Sequence, residues 1–179
     1  MAARQHLARH IRTVPDFPVP GVQFRDVTTL FADRAAFAVA VDAMFEPFAG
    51  REPQVIAGMD ARGFILGGAI AYRTGLPFVP VRKKGKLPAS TIAEAYSLEY
   101  GEAIVEIHAD ALAPGTRVLL VDDLLATGGT ATAGVKLIRR LKAEVTGAVF
   151  LVNLPDLGGD KRLEALGVDV HALCSFDGD

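Results

Sequence analysis

The chain has 179 residues, of which 50% are hydrophobic, and its formal net charge is −2 at pH 7. This length and composition fit a single globular domain over residues 1–179 with a sizeable core. The charge indicates no basic surface for nucleic acid, and no apolar run approaches the ~18 residues that a membrane-spanning helix needs. The single cysteine excludes an intrachain disulfide and favours a reducing compartment, so we expect a cytoplasmic protein without a membrane partner.

The N-terminal segment, residues 1–32, is predicted to hold a short helix and then an extended strap. The strap, residues 15–26, contains three prolines and cannot be helical. Two interpretations of it stay open. It could pack its phenylalanines over the core, or it could offer Phe24 and Arg25 as aromatic and guanidinium surfaces to a flat base. The helix is predicted from an apolar repeat at helical spacing: Leu7, Ile11 and Val14.

Short apolar runs, typical of buried strands, alternate with helical patterns along most of the chain. This alternation predicts an α/β fold in which a parallel sheet is flanked by helices and joined by right-handed crossovers. The predicted strands are 55–59, 78–81, 118–121, 148–152 and 168–174, and the predicted helices follow Asp33 (a plausible N-cap), cover 64–73, begin near Thr130 and cover 161–166.

The strand that ends at Met59 leads into a charged turn, Asp60, Ala61 and Arg62, at the start of a helix. An arginine at that end of a helix opposes the helix dipole, so its placement needs another reason. Binding of a polyphosphate is one such reason, and we therefore predict that Arg62 is an anion ligand.

A run of cations follows the next strand, with four positive residues in five positions. Such a run is often only a solvated surface. Here it stands at a strand end, where a bound diphosphate would need counter-charge, so a functional role is favoured. The cations are Arg82, Lys83, Lys84 and Lys86.

A polar segment between Gly85 and Gly101 interrupts the regular alternation. Long irregular insertions in compact domains are often lids, and the flanking residues predict a hairpin that turns at Gly101. Glu99 lies beside this turn and could simply be exposed to solvent there.

The most informative stretch, Arg117–Thr130, reads as a buried strand, two acids at its exposed carboxyl end, and a small-residue loop before a helix. In open α/β sheets, ligands bind at this end of the strands. A glycine-rich loop before a helix offers backbone N–H groups and the positive end of the helix dipole to a phosphate, and its glycines let the backbone approach an anion with no Cβ in the way. The phosphate loop consists of Ala126, Thr127, Gly128, Gly129 and Thr130.

Asp122 and Asp123 make sense beside a phosphate if the ligand also carries hydroxyls or a bound cation. A sugar phosphate with vicinal hydroxyls and Mg²⁺ fits both halves of the motif. An ordinary capped turn would explain one acid and one glycine, but it explains the pair of each poorly.

Residues 118–130 resemble the phosphoribosyl-diphosphate signature of the type I phosphoribosyltransferases. The run Asp-Asp-Leu-Leu-Ala-Thr-Gly-Gly-Thr is similar to the version found in the adenine-specific branch of that family. The strap, the run Arg-Lys-x-Gly-Lys-Leu-Pro from Arg82 and the run Ser-Leu-Glu-Tyr-Gly from Ser97 resemble the same branch. The resemblance covers residues 11–153. It implies the type I phosphoribosyltransferase fold with a small N-terminal hood and a flexible hairpin lid, residues 82–108.

The resemblance implies an enzyme that transfers the 5-phosphoribosyl group from phosphoribosyl diphosphate to adenine, giving AMP and pyrophosphate. The phosphate loop would hold the 5′-phosphate, Asp122 and Asp123 would meet the ribose hydroxyls, and Mg²⁺ would be held through the substrate rather than directly by side chains. Glu99 and Tyr100 would belong to a mobile catalytic loop. Backbone groups around Gln23 would read the edge of the base.

The resemblance also assigns the cationic residues. Arg62, Arg82 and Lys86 would stabilise charge on the leaving pyrophosphate, with Lys83 beside them, and a non-proline cis peptide is implied in the turn that holds Asp60. One of the cations would serve the neighbouring subunit, so a homodimer is expected.

Two alternatives remain open. One is a related enzyme for another purine, although the strap and the Ser-Leu-Glu-Tyr-Gly run argue against it. The other is a non-catalytic regulator that senses phosphoribosyl diphosphate, which should carry a DNA-binding segment or a basic face, and neither is visible in the sequence.

Overall fold

The structure, a computed structural model, describes residues 6–97 and 102–177. Most of its strands form one mixed sheet, and the first two form a separate hairpin. The strands are β1 (Arg12–Pro15), β2 (Gln23–Asp26), β3 (Val55–Met59), β4 (Phe78–Lys83), β5 (Thr91–Ser97), β6 (Glu102–His108), β7 (Arg117–Leu125), β8 (Glu144–Asn153) and β9 (Val170–Ser175).

The helices mostly connect successive strands of the sheet. Asp33 caps the second of them by accepting hydrogen bonds from the N–H groups of Ala35 and Ala36, both at 2.9 Å, as its position in the sequence predicts. Pro47 follows the end of that helix in a 3₁₀ segment, where a proline can no longer interrupt helical hydrogen bonds. The helices are α1 (Thr28–Ala32), α2 (Arg34–Phe45), α3 (Arg62–Thr74), α4 (Gly129–Arg140) and α5 (Gly159–Glu164), with 3₁₀ segments at Glu46–Arg51 and Pro155–Leu157.

The sheet has the order β5-β6-β4-β3-β7-β8-β9. From β4 to β9 in this order, neighbouring strands are parallel, as the sequence predicts. The edge is different, because β6 pairs antiparallel with both β4 and β5. The chain after β4 forms two strands instead of a crossover helix, and these strands pair as a hairpin that extends the sheet beyond β4.

The two faces of the sheet carry separate cores. One core packs α1, α2 and α3 against the sheet, with Met44, Phe48 and Leu66 among its buried residues. The other packs α4 and α5 on the opposite face, with Leu137 and Phe150 inside it. Because strands such as β3 are covered on both sides, all of their residues are apolar or glycine and all are buried.

The N-terminal prediction of an amphipathic helix reaching Val14 is wrong. Within the described residues the helix covers only 6–8, and Val14 lies in β1. Thr13 and Val14 are β-branched, and Pro15 disfavours a helical backbone in the residue before it, so the chain extends here. The predicted strap is likewise a hairpin, since β1 pairs antiparallel with β2. We call this hairpin the hood.

Candidate active site

A cavity of about 350 Å³ opens at the carboxyl ends of β3, β4 and β7. This is the edge at which ligands bind in open α/β sheets. It brings together most of the predicted site residues from segments that are far apart in the sequence. The lining consists of Asp60, Ala61, Arg62, Lys83, Tyr96 and the continuous run from Asp122 to Ala131.

The phosphate loop connects β7 to α4 on one wall of this cavity. Its Gly128 is the N-cap residue of α4 and adopts a left-handed backbone with φ of 76°. A glycine has no side chain to cap the helix, so the first amides of α4 are not bound by the cap residue. Amides of this kind, together with the helix dipole, favour an anion.

The structure gives Gly128 two reasons for being glycine besides the expected approach of an anion. A Cβ atom built on it would lie 2.9 Å from Cα of Gly159, a residue of the C-terminal segment. Its positive φ also favours glycine. The backbone contact behind the loop therefore requires a residue without Cβ at this position, whether or not an anion binds in front of it.

The two acids differ in their surroundings, and neither follows the strand as expected, because both lie within the longer β7. Asp123 is 4% exposed, which contradicts the expected exposed position, and it accepts a hydrogen bond from Nε of Arg62. Asp122 accepts one from the N–H of Asp123 at 2.9 Å. Burial, and after it the charge of Asp123, raises the pKa of the Asp122 carboxyl well above its usual value.

Arg62 therefore lies in the cavity with a partner already in place. Its side chain is 44% exposed, so the guanidinium remains accessible to a ligand. The start of α3 presses closely on β7, since a Cβ on Gly63 would lie 2.7 Å from the carbonyl oxygen of Val121. This close approach fixes Arg62 beside the acid pair.

Asp60 links the turn after β3 to the cationic run. Its Oδ2 accepts from Nε of Arg82 and from the N–H of Lys83, both at 3.4 Å. Arg82 also donates to the carbonyl oxygen of Lys86 at 3.0 Å. The peptide bond between Asp60 and Ala61 is cis, as the resemblance implies. Lys83 lines the cavity, whereas Arg82 and Lys86 do not.

The hood residues lie outside this lining. Phe24 packs edge-on against Phe17, with ring centroids 5.1 Å apart, and Phe17 is 51% exposed rather than buried over the core. Arg25 lies over the ring of Phe176 at 4.5 Å from its centroid and donates to Oγ1 of Thr13 at 2.6 Å. Gln23, the first residue of β2, is partly buried.

The predicted lid, residues 82–108, contains the strands β5 and β6. β5 and β6 pair antiparallel from Thr91 with His108 to Ser97 with Glu102. Glu99 and Tyr100 lie outside the described residues. Tyr96 lines the cavity and was missed by the sequence reasoning. The signal that could have found it is strand alternation, because Tyr96 shares a face of β5 with Ile92, which packs on the core.

Comparisons with known proteins agree with this geometry. The family described as "Phosphoribosyl transferase domain" matches residues 27–171. The adenine phosphoribosyltransferase of Dinoroseobacter shibae is 62% identical over 179 residues, which is 100% of both chains. The crystal structure of adenine phosphoribosyltransferase from Rhodothermus marinus is 48% identical with a TM-score of 0.92, covering 98% of this chain and 99% of that one.

A third comparison is more distant but carries ligands. Adenine phosphoribosyltransferase from Saccharomyces cerevisiae, solved with adenine and an imino-altritol bisphosphate, is 34% identical with a TM-score of 0.90, covering 96% and 98% of the two chains. The fold is thus that of the type I phosphoribosyltransferases. The chain belongs to the adenine phosphoribosyltransferase family.

Proposed function

We propose that this protein transfers the 5-phosphoribosyl group of phosphoribosyl diphosphate to adenine, giving AMP and pyrophosphate. The bond from C1′ to the pyrophosphate oxygen breaks, and a bond from C1′ to N9 of adenine forms as N9 loses its proton. The observation that carries the proposal is the single cavity that joins a helix-start phosphate loop, two carboxylates and Arg62. The naming of full-length relatives for the same activity supports it.

Each part of the donor has a matching part of the cavity. The phosphate loop suits the 5′-phosphate, because anions bind at helix starts. Asp122 and Asp123 suit the ribose hydroxyls, since carboxylates accept hydrogen bonds from them. Arg62 and Lys83 suit the diphosphate, and donors placed where charge develops are often the largest catalytic contribution. Arg82 and Lys86, held next to this wall through Asp60, would add counter-charge.

The donor set of the cavity fits Mg²⁺. Carboxylate oxygens suit this ion, which usually takes one or two carboxylates together with substrate phosphates rather than a cage of side chains. The described residues contain no group of three or more acidic, histidine or cysteine side chains arranged for a metal. Asp122 and Asp123 would lie closest to the ion. When bound, Mg²⁺ would neutralise charge on the diphosphate.

The hood is proposed as the purine site. The Saccharomyces cerevisiae relative was solved with adenine, which supports a base site in this family. Backbone groups around Gln23 would read the base edge, with Phe24 beside it. Arg25 is already engaged with Phe176, so we assign it to holding the hood in place as well as to the substrate site.

Residues 82–108 are proposed as a lid, residues 1–32 as the helix and base-binding hood, and residues 1–179 as one catalytic domain. Glu99 and Tyr100, by resemblance, would close over the base and exclude water from the ribosyl centre. Glu99 would also accept the proton that N9 loses as the bond from N9 to C1′ forms.

A homodimer is proposed from an exposed apolar face. Ile65 and Tyr72 are seven positions apart on α3, so they share a face, and they are 49% and 93% exposed. Exposed apolar side chains grouped in this way are typical of an interface.

No helix among the described residues is long and apolar enough to cross a membrane. The single cysteine supports the cytoplasm as the proposed location.

The proposed function is tested by turnover of phosphoribosyl diphosphate with adenine, hypoxanthine and guanine in turn, in the presence of Mg²⁺. We expect pyrophosphate release with adenine and little with the other bases. Comparable turnover of hypoxanthine or guanine would assign the protein to another purine. Donor binding without turnover of any base, together with a shift of DNA in a gel, would favour the regulator instead.

A further inference from the structure

The phosphate loop is backed by the C-terminal segment, which does not line the cavity. Gly159, the first residue of α5, lies directly behind the loop and is buried. A Cβ built on it would lie 2.3 Å from the carbonyl oxygen of Ala126, 2.9 Å from the amide nitrogen of Gly128 and 2.9 Å from Cδ1 of Leu125.

These distances leave no room for any side chain at Gly159. Contacts below 3.0 Å are essentially never made by real Cβ atoms, and two of the three atoms belong to the loop backbone. A backbone cannot rotate away as a flexible side chain can, so an added methyl group must displace the loop itself. The contact is mutual, because a Cβ on Gly128 would in turn lie 2.9 Å from Cα of Gly159.

Two hydrogen bonds and a tight turn fix the C-terminal segment against the end of the sheet. The N–H of Leu154 donates to the carbonyl oxygen of Leu125 at 2.9 Å. Nδ2 of the buried Asn153 donates to Oδ2 of Asp160 at 3.2 Å. Gly158 turns the chain into α5 with φ of 70°. The segment is thus attached on both sides of the point where it meets the loop.

We propose that Gly159 is a positioning residue, which sets the place of the phosphate loop through direct backbone contact and so sets how tightly the loop binds the 5′-phosphate. The inference rests on the proposed function of the loop and deepens it. It also gives the C-terminal segment a role in donor binding, although no part of α5 lines the cavity.

The test compares AMP with adenosine as ligands, because the two differ only in the phosphate group. Isothermal titration gives the ratio of their affinities, which isolates the phosphate contact from the base and ribose contacts. In Gly159→Ala we expect this ratio to fall by roughly 10- to 100-fold, since displacing a binding group by about 1 Å costs on that order. In turnover, KM for phosphoribosyl diphosphate should rise more than KM for adenine.

Gly147→Ala is the matched control. A Cβ there would lie 2.2 Å from the ring of Phe48, so the substitution is also crowded and should lower the melting temperature. Gly147 is near the start of β8, however, about 20 Å along the strand from its carboxyl end. Its affinity ratio of AMP to adenosine should match that of the parent.

Asp160→Ala keeps the proposal testable if Gly159→Ala does not fold. It removes the bond to Asn153 and inserts nothing. Loss of a carboxylate near an anion site would by itself strengthen phosphate binding, so weaker AMP binding with unchanged adenosine binding would point to lost positioning. Unchanged or tighter AMP binding would overturn the inference.

The outcomes separate the two claims. If the parent binds AMP no better than adenosine, the proposed function of the loop is wrong. If the parent prefers AMP and folded Gly159→Ala keeps the same preference, the proposed function stands and the positioning role of Gly159 is refuted. A fall in preference that Gly147→Ala shares equally would also refute it.

Discussion

At the scale of single residues, the neighbouring acids Asp122 and Asp123 have opposite effects on the stability of the fold. Asp122 lies in surroundings that disfavour its charge, which raises its pKa. Asp123 is buried but is paired with the guanidinium of Arg62. Removing the carboxylate of Asp122 removes a charge that its surroundings disfavour, whereas removing that of Asp123 takes the charged partner away from Arg62.

Asp122→Asn should therefore raise the melting temperature at pH 7 while weakening phosphoribosyl diphosphate binding. A carboxyl whose pKa is raised on folding stabilises the folded state while it is protonated. This contribution to stability is lost as the pH rises through the folded-state pKa. Asparagine does not ionise, so the variant should have a higher melting temperature than the parent at neutral pH. The two melting temperatures should become equal in acid, where Asp122 of the parent is protonated.

Asp123→Asn is the matched comparison, and it should lower stability by about 1–3 kcal/mol because Arg62 loses its charged partner. Thermal unfolding at several pH values and donor titration measure both variants. Equal shifts of the same sign in the two variants would contradict the distinct surroundings assigned to the two acids.

Sequence reasoning found the residue types of the site but not all of their reasons. Asp122, Asp123 and Arg62 were found because strand ends in an α/β pattern predict a shared edge. The contact between Gly128 and Gly159 could not be predicted, because no local pattern encodes how their two segments lie relative to each other. Glu99 was named from resemblance, and its place lies outside the described residues.

At the scale of elements, the hood is fastened by a carboxylate. Asp26 accepts hydrogen bonds from Oγ1 of Thr28 at 2.6 Å and from its N–H at 2.9 Å, and it forms an ion pair with Arg12. The bond from the Thr28 hydroxyl, then the one from Arg12, and then the one from the Thr28 N–H lower the pKa of Asp26 from 3.8 to about 2.

Asp26→Asn should be less stable than the parent at neutral pH. This difference in the free energy of unfolding should become smaller as the medium becomes acidic. A lowered carboxyl pKa contributes stability that is present above 3.8 and is lost as the pH falls through about 2. Urea unfolding of both proteins between pH 7 and pH 3 measures this, and we expect a constant difference above about pH 5 that then shrinks. A difference independent of pH would show that Asp26 is not ionised in the way described.

The lid carries a separate prediction at this scale. If Glu99 handles the proton of N9, Glu99→Ala should lower kcat by roughly 10²–10⁴-fold with less effect on KM for adenine. Glu99→Gln keeps the size without the charge. Activity retained in Gln but not in Ala would indicate orientation of the lid, and parent-like turnover in both, with chemistry rate-limiting, would remove Glu99 from the catalytic residues.

The ends of some strands can be predicted from the local sequence, whereas the ends of others are set by pairing with a neighbouring strand. β3 matches its predicted residues 55–59, because a continuous apolar run leaves no alternative. β7 runs on to Leu125, beyond the predicted 121, because pairing with β8 carries even its acids into the ladder. The hood was predicted as a strap, because no local signal reveals that its two ends pair.

At the scale of the whole molecule, the fold places three carboxyl strand ends around one cavity and leaves an apolar face on the outside. The sheet order brings these strand ends together, since β3 and β7 lie side by side in the middle of the sheet. The apolar face on the outside is the side of α3 that carries Ile65 and Tyr72.

Tyr72→Glu should convert the proposed homodimer to monomers. A charge in an apolar interface is costly to desolvate, and Tyr72 is 93% exposed in the single chain, so the fold itself should tolerate the change. Sedimentation velocity of the parent, of Tyr72→Glu and of Glu144→Lys, an exposed charge change elsewhere, gives the oligomeric state. A monomeric parent, or a variant that still forms dimers, would count against this face.

The central claim, that one cavity reads both the phosphate and the ribose of the product, is tested most directly by a crystal structure with AMP bound. We expect phosphate oxygens within about 2.7–3.2 Å of backbone nitrogens in the loop from Thr127 to Thr130. The ribose hydroxyls should lie at the carboxylates of Asp122 and Asp123. AMP whose phosphate lies away from this loop, or whose ribose is turned away from both acids, would contradict the account.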